Sequence, residues 1–120
     1  MKRNLIYLVM LIMLFGCVAT PQIYTINDVS RKHLILLNHN RTNKNIFSIS
    51  IQIEGNLDGD ASIIIKDGIN FKKTINISNQ NDKIKLIINE DWYNSKCIIE
   101  YLPVKVTEGN LHITYKFYEL

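Results

Sequence analysis

The residues best suited to chemistry lie in segment 89–95, where Asp91, Trp92 and Tyr93 place a carboxylate beside two large aromatic side chains. Exposed aromatics with a polar group are typical of protein interfaces and of surfaces on which sugar rings stack. The alternative is structural: Trp92 fills one end of a core and Asp91 caps a turn, because a lone tryptophan is usually buried. Exposed, coplanar rings would favour the sugar surface, and burial would favour the structural role.

No other group of residues has the spacing of a catalytic or metal-binding site. Glu54, Asp58, Asp60 and Asp67 flank two neighbouring turns and offer the oxygen ligands that calcium prefers, but without a full ligand spacing. The histidines are scattered, and the sequence has no nucleophile elbow, phosphate-binding glycine loop or CxxC motif. We therefore expect no catalytic residues, no metal and no cofactor.

The basic residues do not predict nucleic-acid binding. The chain has 14 basic and 11 acidic residues, a formal net charge of +3. Lys2 and Arg3 supply most of that excess, and the later lysines mostly alternate with apolar residues, as on the solvent face of a strand. Nucleic-acid binding requires concentrated basic residues interleaved with aromatics. We expect no nucleic-acid partner.

The start of the chain has the organisation of an export signal. Lys2 and Arg3 precede an apolar run from Leu5 to Phe15, and Gly16 follows at once. A basic start, roughly 7–15 apolar residues and a small residue at the cleavage site describe a secretory signal peptide. The run is shorter than the roughly 20 residues needed to cross a bilayer. We expect a helix here in the precursor.

Residues 14–17 (Leu-Phe-Gly-Cys) resemble the lipobox of bacterial lipoprotein precursors, although Phe15 stands where a small or β-branched residue is usual. The resemblance implies cleavage between Gly16 and Cys17, a diacylglycerol on the Cys17 sulfur and stable membrane anchoring by the acyl chains. Val18, in place of aspartate, implies the outer membrane facing the periplasm over the inner membrane. The alternative is an ordinary signal peptide in which Cys17 is incidental.

The second cysteine, Cys97, is expected to be structural. A lipidated Cys17 cannot form a disulfide, which leaves Cys97 unpaired. Cys97 shares one face of a strand-like segment with Ile99 and Tyr101. A reactive thiolate requires a nearby base and an electropositive environment, and the neighbouring residues supply neither. We predict a small, buried, inert side chain.

The remaining sequence has the pattern of an all-β domain. Residues 46–54 alternate between apolar and polar side chains, as a half-buried strand does. Segments 83–89 and 111–117 repeat that alternation, and turn sequences such as Asp67-Gly68 separate the apolar segments. About seven to nine short strands predict an antiparallel β-sandwich of Ig-like or transthyretin-like architecture, with a small β-barrel as the alternative.

The chain has the length of one domain. We predict a signal peptide at residues 1–16, a lipidated tether at 17–30 and a β-sandwich at 31–120. Within the tether, residues 23–26 are apolar enough to form a first strand. The last strand, 111–117, has one uninterrupted apolar face, so we expect it to be central or fully paired.

Two functions of different classes fit these features. The first is a membrane-anchored module of the cell envelope that binds another envelope protein, as an accessory subunit, inhibitor or exclusion factor. The second is a carbohydrate- or cell-wall-binding module that uses Trp92 and Tyr93 as a stacking surface. We predict that the protein is not an enzyme, because the sequence shows no catalytic constellation.

Overall fold

The computed structural model describes residues 21–39, 45–78 and 83–120, and within these ranges the chain consists of strands, turns and loops. Each paired strand runs antiparallel to its neighbour. The described residues contain eight strands: β1 (Gln22–Ile26), β2 (His33–Asn38), β3 (Ile46–Leu57), β4 (Asp60–Lys66), β5 (Lys72–Ile77), β6 (Ile84–Asp91), β7 (Lys96–Val104) and β8 (Gly109–Glu119).

The strands form two four-stranded sheets that pack face to face. Sheet A has the order β1-β8-β3-β6, and sheet B has the order β2-β7-β4-β5. The inward side chains of both sheets form one hydrophobic core. Within the described residues, no strand pairing joins the edges of one sheet to those of the other. The predicted antiparallel β-sandwich is therefore confirmed, and the alternative of a closed barrel is wrong.

The core follows from the alternation in the sequence. In β3, Ile49, Ile51 and Ile53 are fully buried, whereas the polar residues between them lie on the outer face. Burying one large aliphatic side chain contributes roughly 1.5–3 kcal/mol, so the inward faces dominate the stability of the fold. The largest fully buried side chains are Tyr101, Ile26, Leu37, Ile49, Ile51, Ile53, Ile63, Ile65, Ile99, Leu111, Ile113 and Cys97.

Strand β8 lies inside sheet A, between β1 and β3. Leu111 and Ile113 are fully buried, and Phe117 is almost fully buried. The pairing with β3 extends along nearly the whole strand. The prediction that this strand is central and covers the core is confirmed.

Two glycines allow β3 and β8 to approach closely at one end. Gly55 has a φ of 151° and Gly109 has a φ of 144°. A Cβ atom at Gly55 would lie 2.0 Å from the carbonyl oxygen of Asn110, and one at Gly109 would lie 2.1 Å from that of Asn56. No side chain tolerates such contacts, so this end of the β3–β8 pairing requires glycine at both positions.

Tyr101, in the centre of sheet B, ties the first two strands to the core. Its hydroxyl donates a hydrogen bond to the backbone carbonyl oxygen of Val29 at 2.7 Å. Val29 lies in the connection between β1 and β2, which crosses from sheet A to sheet B. On the same inward face of β7, beyond Ile99, Cys97 is a buried free thiol, as the sequence predicted.

The N-terminal predictions have different outcomes. The signal segment 1–16, its predicted helix and Cys17 lie outside the described residues. Part of the 17–30 segment, predicted as a tether, belongs to the sandwich from Gln22 onward, because β1 pairs with β8 and Ile26 is buried in the core. In the described ranges, no helix is long and apolar enough to cross a membrane.

Candidate functional site

One end of the sandwich, called the loop end below, brings several loops together. It carries the β4–β5 turn (residues 67–71), the β6–β7 loop (residues 92–95) and the end of β8. Strand β4 ends where β7 begins, and β6 and β8 end where β3 begins. The backbone N–H of Trp92 donates to the carbonyl oxygen of Phe47 at 3.1 Å, which ties the β6–β7 loop to the start of β3.

Trp92 is part of the core at the loop end. Its side chain is only 3% exposed. The indole Nε1 donates to the carbonyl oxygen of Lys96 at 3.0 Å, so its polar atom is satisfied within the protein. The ring packs edge-on against Phe71 with 5.4 Å between centroids. The structural interpretation of Trp92 is therefore the right one.

Tyr93 has the opposite environment and is 80% exposed. The two aromatic rings therefore do not form a shared, exposed surface, and the predicted stacking surface of Trp92 and Tyr93 is wrong in that form. The reason is that successive residues leave the end of a strand on opposite sides, so one ring enters the core and the next faces solvent. Asp91, at the end of β6, is also exposed.

Tyr93 borders a cleft of about 370 Å³ at the loop end. The cleft lies between the β4–β5 turn and the β6–β7 loop. Ile69, on the turn, is 77% exposed and faces the same opening as Tyr93. The lining residues are Asp67, Ile69, Phe71, Asp91, Trp92, Tyr93 and Asn94.

Side-chain hydrogen bonds to the backbone fix both walls of this cleft. One carboxylate oxygen of Asp67 accepts from the backbone N–H groups of Ile69 at 2.8 Å and of Asn70 and Phe71 at 3.0 Å. These bonds, with that of Ile69 the largest contribution, hold the pKa of Asp67 below its usual value. Opposite, the Asn94 side-chain oxygen accepts from the N–H of Lys96 at 3.1 Å. The exposed side chains therefore project from ordered loops.

The acidic residues considered for calcium do not converge. Asp67 lies at the loop end, whereas Asp60 begins β4 at the opposite end, seven residues of strand away. Asp58 is engaged by Thr107, whose N–H donates to it at 2.8 Å and whose hydroxyl also donates to it. In the ranges that the structure describes, no three His, Cys, Asp or Glu side chains form a group suited to a metal ion.

The histidines lie in three separate places, each with its own partner. His33 contacts the backbone carbonyl oxygen of Asp28 at 2.5 Å. His39 pairs with Glu119 at 3.1 Å, and His112 is within 3.1 Å of the Thr25 hydroxyl. Folding therefore gathers none of them with another.

An exposed apolar surface lies on the outer face of sheet B. Strand β2, an edge strand, exposes Leu34 (70%) and Leu36 (52%). Leu36 pairs across the ladder with Ile98, which makes the surface continuous onto β7. We call this surface the apolar face; its residues are Leu34, Leu36, Ile64, Ile98, Leu102 and Val104.

The apolar face has lysines at its margin and one ion pair within it. Lys66 forms an ion pair with Glu100, and this hydrogen bond is the main reason why the pKa of Glu100 is lowered. Lys32 and Lys72 also lie close enough to Glu100 to lower its pKa. Lys96 extends the basic rim at the start of β7, on the same side as Ile98. Glu100 lies opposite both Leu34 and Ile64, so its ion pair with Lys66 stands among the apolar side chains, whereas Lys32, Lys72 and Lys96 give the margin of the face a positive charge.

The sequence contains a signal for this face that alternation alone does not reveal. Residues 34–37, 63–65 and 98–99 are apolar at consecutive positions. Strands buried on both faces read in this way, whereas a sheet with one wet face alternates. The signal for the cleft was weaker, because Asp67-Gly68 predicts a turn but not what the turn faces.

No protein-family model matches the sequence, and no curated protein matches it. Among solved structures, the chain is similar to a mutant of a family 29 carbohydrate-binding module, with 14% identity and a TM-score of 0.45, covering 70% of this chain and 61% of that one. A family 29 module complexed with cellulohexaose has 14% identity and a TM-score of 0.43, covering 70% and 61%.

A third similar structure is the cycloalternan-forming enzyme from Listeria monocytogenes in complex with a pentasaccharide. It has 10% identity and a TM-score of 0.44, covering 80% of this chain and 11% of the enzyme. These identities and scores identify no shared function. The β-sandwich assignment stands on the pairing of this chain's own strands.

Proposed function

We propose that the protein is a lipid-anchored, non-enzymatic module of the bacterial cell envelope that binds another envelope protein through the apolar face of sheet B. The lipobox at residues 14–17 supports the anchor. The observation that carries the binding role is the exposure of Leu34 and Leu36 on an edge strand, continuous with half-buried apolar residues of β7 and β4.

An exposed apolar edge strand such as β2 is expected to be covered by another protein segment. Exposed hydrophobic edge strands promote uncontrolled pairing with other chains, and soluble proteins usually protect them with charges, proline or a covering segment. Here three lysines lie at the margin of the apolar face, and Leu34 and Leu36 are exposed to solvent. Large apolar patches with a polar rim mark protein-interaction sites.

The charge of the rim specifies the chemistry of the partner. Lys32, Lys72 and Lys96 lie at the margin of the face, whereas Lys66 and Glu100 form an ion pair within it. A complementary surface would present apolar side chains in its centre and carboxylates at its margin. We therefore propose a partner protein with an acidic rim around an apolar contact.

Site-specific photocrosslinking in the native envelope tests this role. A photoreactive residue at position 36 is expected to capture one defined partner, whereas the same residue at position 87 is not. Ile87 is the matched control because it is 62% exposed but lies on β6, in the other sheet. The partner should also bind the purified protein directly.

Charge substitutions give the second arm of the test. Leu36→Glu should abolish binding of the purified partner, and Lys72→Glu or Lys96→Glu should weaken it, because each opposes the proposed complementarity. Ile87→Glu should leave binding unchanged, and all variants should keep the wild-type melting temperature because the side chains are exposed. Equal binding by Leu36→Glu and wild type would refute the proposal.

A second candidate function rests on the loop-end cleft. Tyr93 supplies an open aromatic ring, and Asp91 and Asn94 line the same cleft with polar groups. This combination suits a carbohydrate ligand, with Tyr93 alone as the stacking ring. If it is correct, insoluble cell-wall polysaccharide should retain the wild type but not Tyr93→Ala, while Leu36→Glu should be retained normally.

A further inference from the structure

We infer that the loop end is a membrane-contact surface, with Ile69 and Tyr93 lying at the headgroup level of the bilayer that holds the lipid anchor. The inference rests on the proposed lipidation of Cys17. It goes beyond the proposed function because it fixes which part of the domain meets the membrane.

The direction of β1 sets the anchored end. Gln22 pairs with Tyr115 and Ile26 pairs with Leu111, so β1 begins on the side toward which β8 ends. The chain therefore enters β1 from the side of the loop end. An acylated Cys17, five residues before Gln22, would anchor the domain from that end.

The segment between Cys17 and the first strand is short. From Cys17 to Gln22 there are five residue steps, which span at most about 18 Å when fully extended. From Tyr115, opposite Gln22, to Glu119 at the end of β8, the strand covers about 13 Å at its usual rise. Even a fully extended segment would use most of its length to reach the end of the sheet. A fully acylated Cys17 would hold the loop end close to the bilayer.

The side chains found at this end suit that position. Ile69 and Tyr93 project from the two walls of the cleft with exposures of 77% and 80%. Phe47 and Tyr118, at the adjacent end of sheet A, are 40% and 38% exposed. Tyrosine is enriched at membrane–water interfaces, where its ring lies among lipids and its hydroxyl meets water.

The other end of the sandwich has a different character. Its β3–β4 and β7–β8 connections are joined by the hydrogen bonds of Asp58 with Thr107 and Glu108. Arg31 pairs with Asp28 in the nearby β1–β2 connection at 3.2 Å. Fewer large apolar side chains are exposed at this end than at the loop end, which fits the side away from the bilayer. The strands would then run along the membrane normal, and the apolar face of sheet B would point sideways, open to an envelope partner.

Fluorescence quenching on the acylated protein tests the inference. The mature protein, purified from its own envelope and reconstituted into phosphatidylethanolamine–phosphatidylglycerol vesicles, carries an environment-sensitive dye on Ile69→Cys or, as control, on Glu108→Cys. Buried Cys97 is not expected to compete for the dye. Nitroxide-labelled lipids should quench and blue-shift the dye at position 69 and leave the dye at position 108 unchanged.

A second pair of variants separates membrane contact from mere proximity. With the dye on Asn94→Cys, Tyr93→Asp combined with Ile69→Asp should reduce quenching to the level of position 108, whereas Ile87→Asp should not. Equal, water-like spectra at positions 69 and 108 in vesicle-bound protein would overturn the inference. So would a dye at position 94 that ignores the lipids but responds to soluble cell-wall glycan fragments, which would favour the carbohydrate candidate.

The experiment distinguishes a failure of lipidation from a failure of the membrane contact. If Cys17 is not acylated, the wild type will fail to float with the vesicles, and mass spectrometry will show no added acyl chains. In that case both the anchor and the membrane contact fail. Flotation of the wild type with water-like spectra at the loop end refutes the membrane contact alone.

Discussion

Removing a single buried oxygen atom, by Tyr101→Phe, should loosen the attachment of β1 and β2 to the rest of the sandwich. The ring of Tyr101 is fully buried, so phenylalanine fills the same space. What is lost is the hydrogen bond from the hydroxyl to the Val29 carbonyl oxygen at 2.7 Å. The carbonyl oxygen is left without that donor in the same buried environment.

The magnitude follows from the environment of this bond. Leaving a buried acceptor unsatisfied costs about 1–3 kcal/mol. For a domain of this size, each kcal/mol lowers the melting temperature by roughly 4–8 °C. Thermal unfolding followed by circular dichroism should therefore show a clear decrease for Tyr101→Phe and none for Tyr118→Phe, whose side chain is 38% exposed. Hydrogen exchange should accelerate most in residues 22–32.

The same substitution should change the response to alkali. Burial, with a smaller contribution from Asp58, raises the pKa of Tyr101 to about 12 from 10.0. The folded state therefore keeps a proton that the unfolded chain loses, and stability falls as pH rises through this interval. Tyr101→Phe should remove this part of the alkaline loss. An unchanged melting temperature at neutral pH, together with an unchanged alkaline profile, would refute the assigned role.

Three further predictions concern the core and the strand pairing. Burial raises the pKa of Cys97 to about 12, so a thiol reagent should modify it slowly at neutral pH in the native protein and rapidly in denaturant; fast native labelling would contradict this. Gly109→Ala should lower the melting temperature strongly, because its Cβ would meet the Asn56 carbonyl oxygen. Gly68→Ala should lower the melting temperature less, because the nearest atom to its Cβ would lie 3.6 Å away, in the Ile98 side chain. Truncation after Gly109 removes the buried part of β8 and should abolish the unfolding transition, and a truncated protein that melts normally would show that this strand is dispensable.

The fold was predictable because most strands obey one simple rule. Alternation in residues 46–54 and 111–117 requires only that one face of each strand is apolar, and the structure places those faces in the core. The buried environment of Cys97 followed from the same parity with Ile99 and Tyr101. The alternation of inward and outward positions along a strand is a local property, so a single sequence reveals it.

The candidate surfaces depend on contacts between distant segments. The inward or outward position of a residue in its own strand does not define such contacts. Trp92 and Tyr93 are adjacent in sequence, but only the packing of Phe71, from another loop, shows which ring is covered. The apolar face appears only when β2 is known to lie beside β7 and β7 beside β4. Strand order is set by long-range pairing, and the turn sequences constrain it weakly.

The position of β8 also determines when the fold can form. Sheet A joins β1 to β8, the first described strand to the last, and β8 separates β1 from β3. Until β8 is available, β1 has no partner in its sheet and β3 can pair only with β6. Such long sequence separations favour slow folding, because the cost of closing the chain precedes the gain from contact. Sheet B can form from β2, β4, β5 and β7 alone, but sheet A is incomplete until the last described strand has joined it.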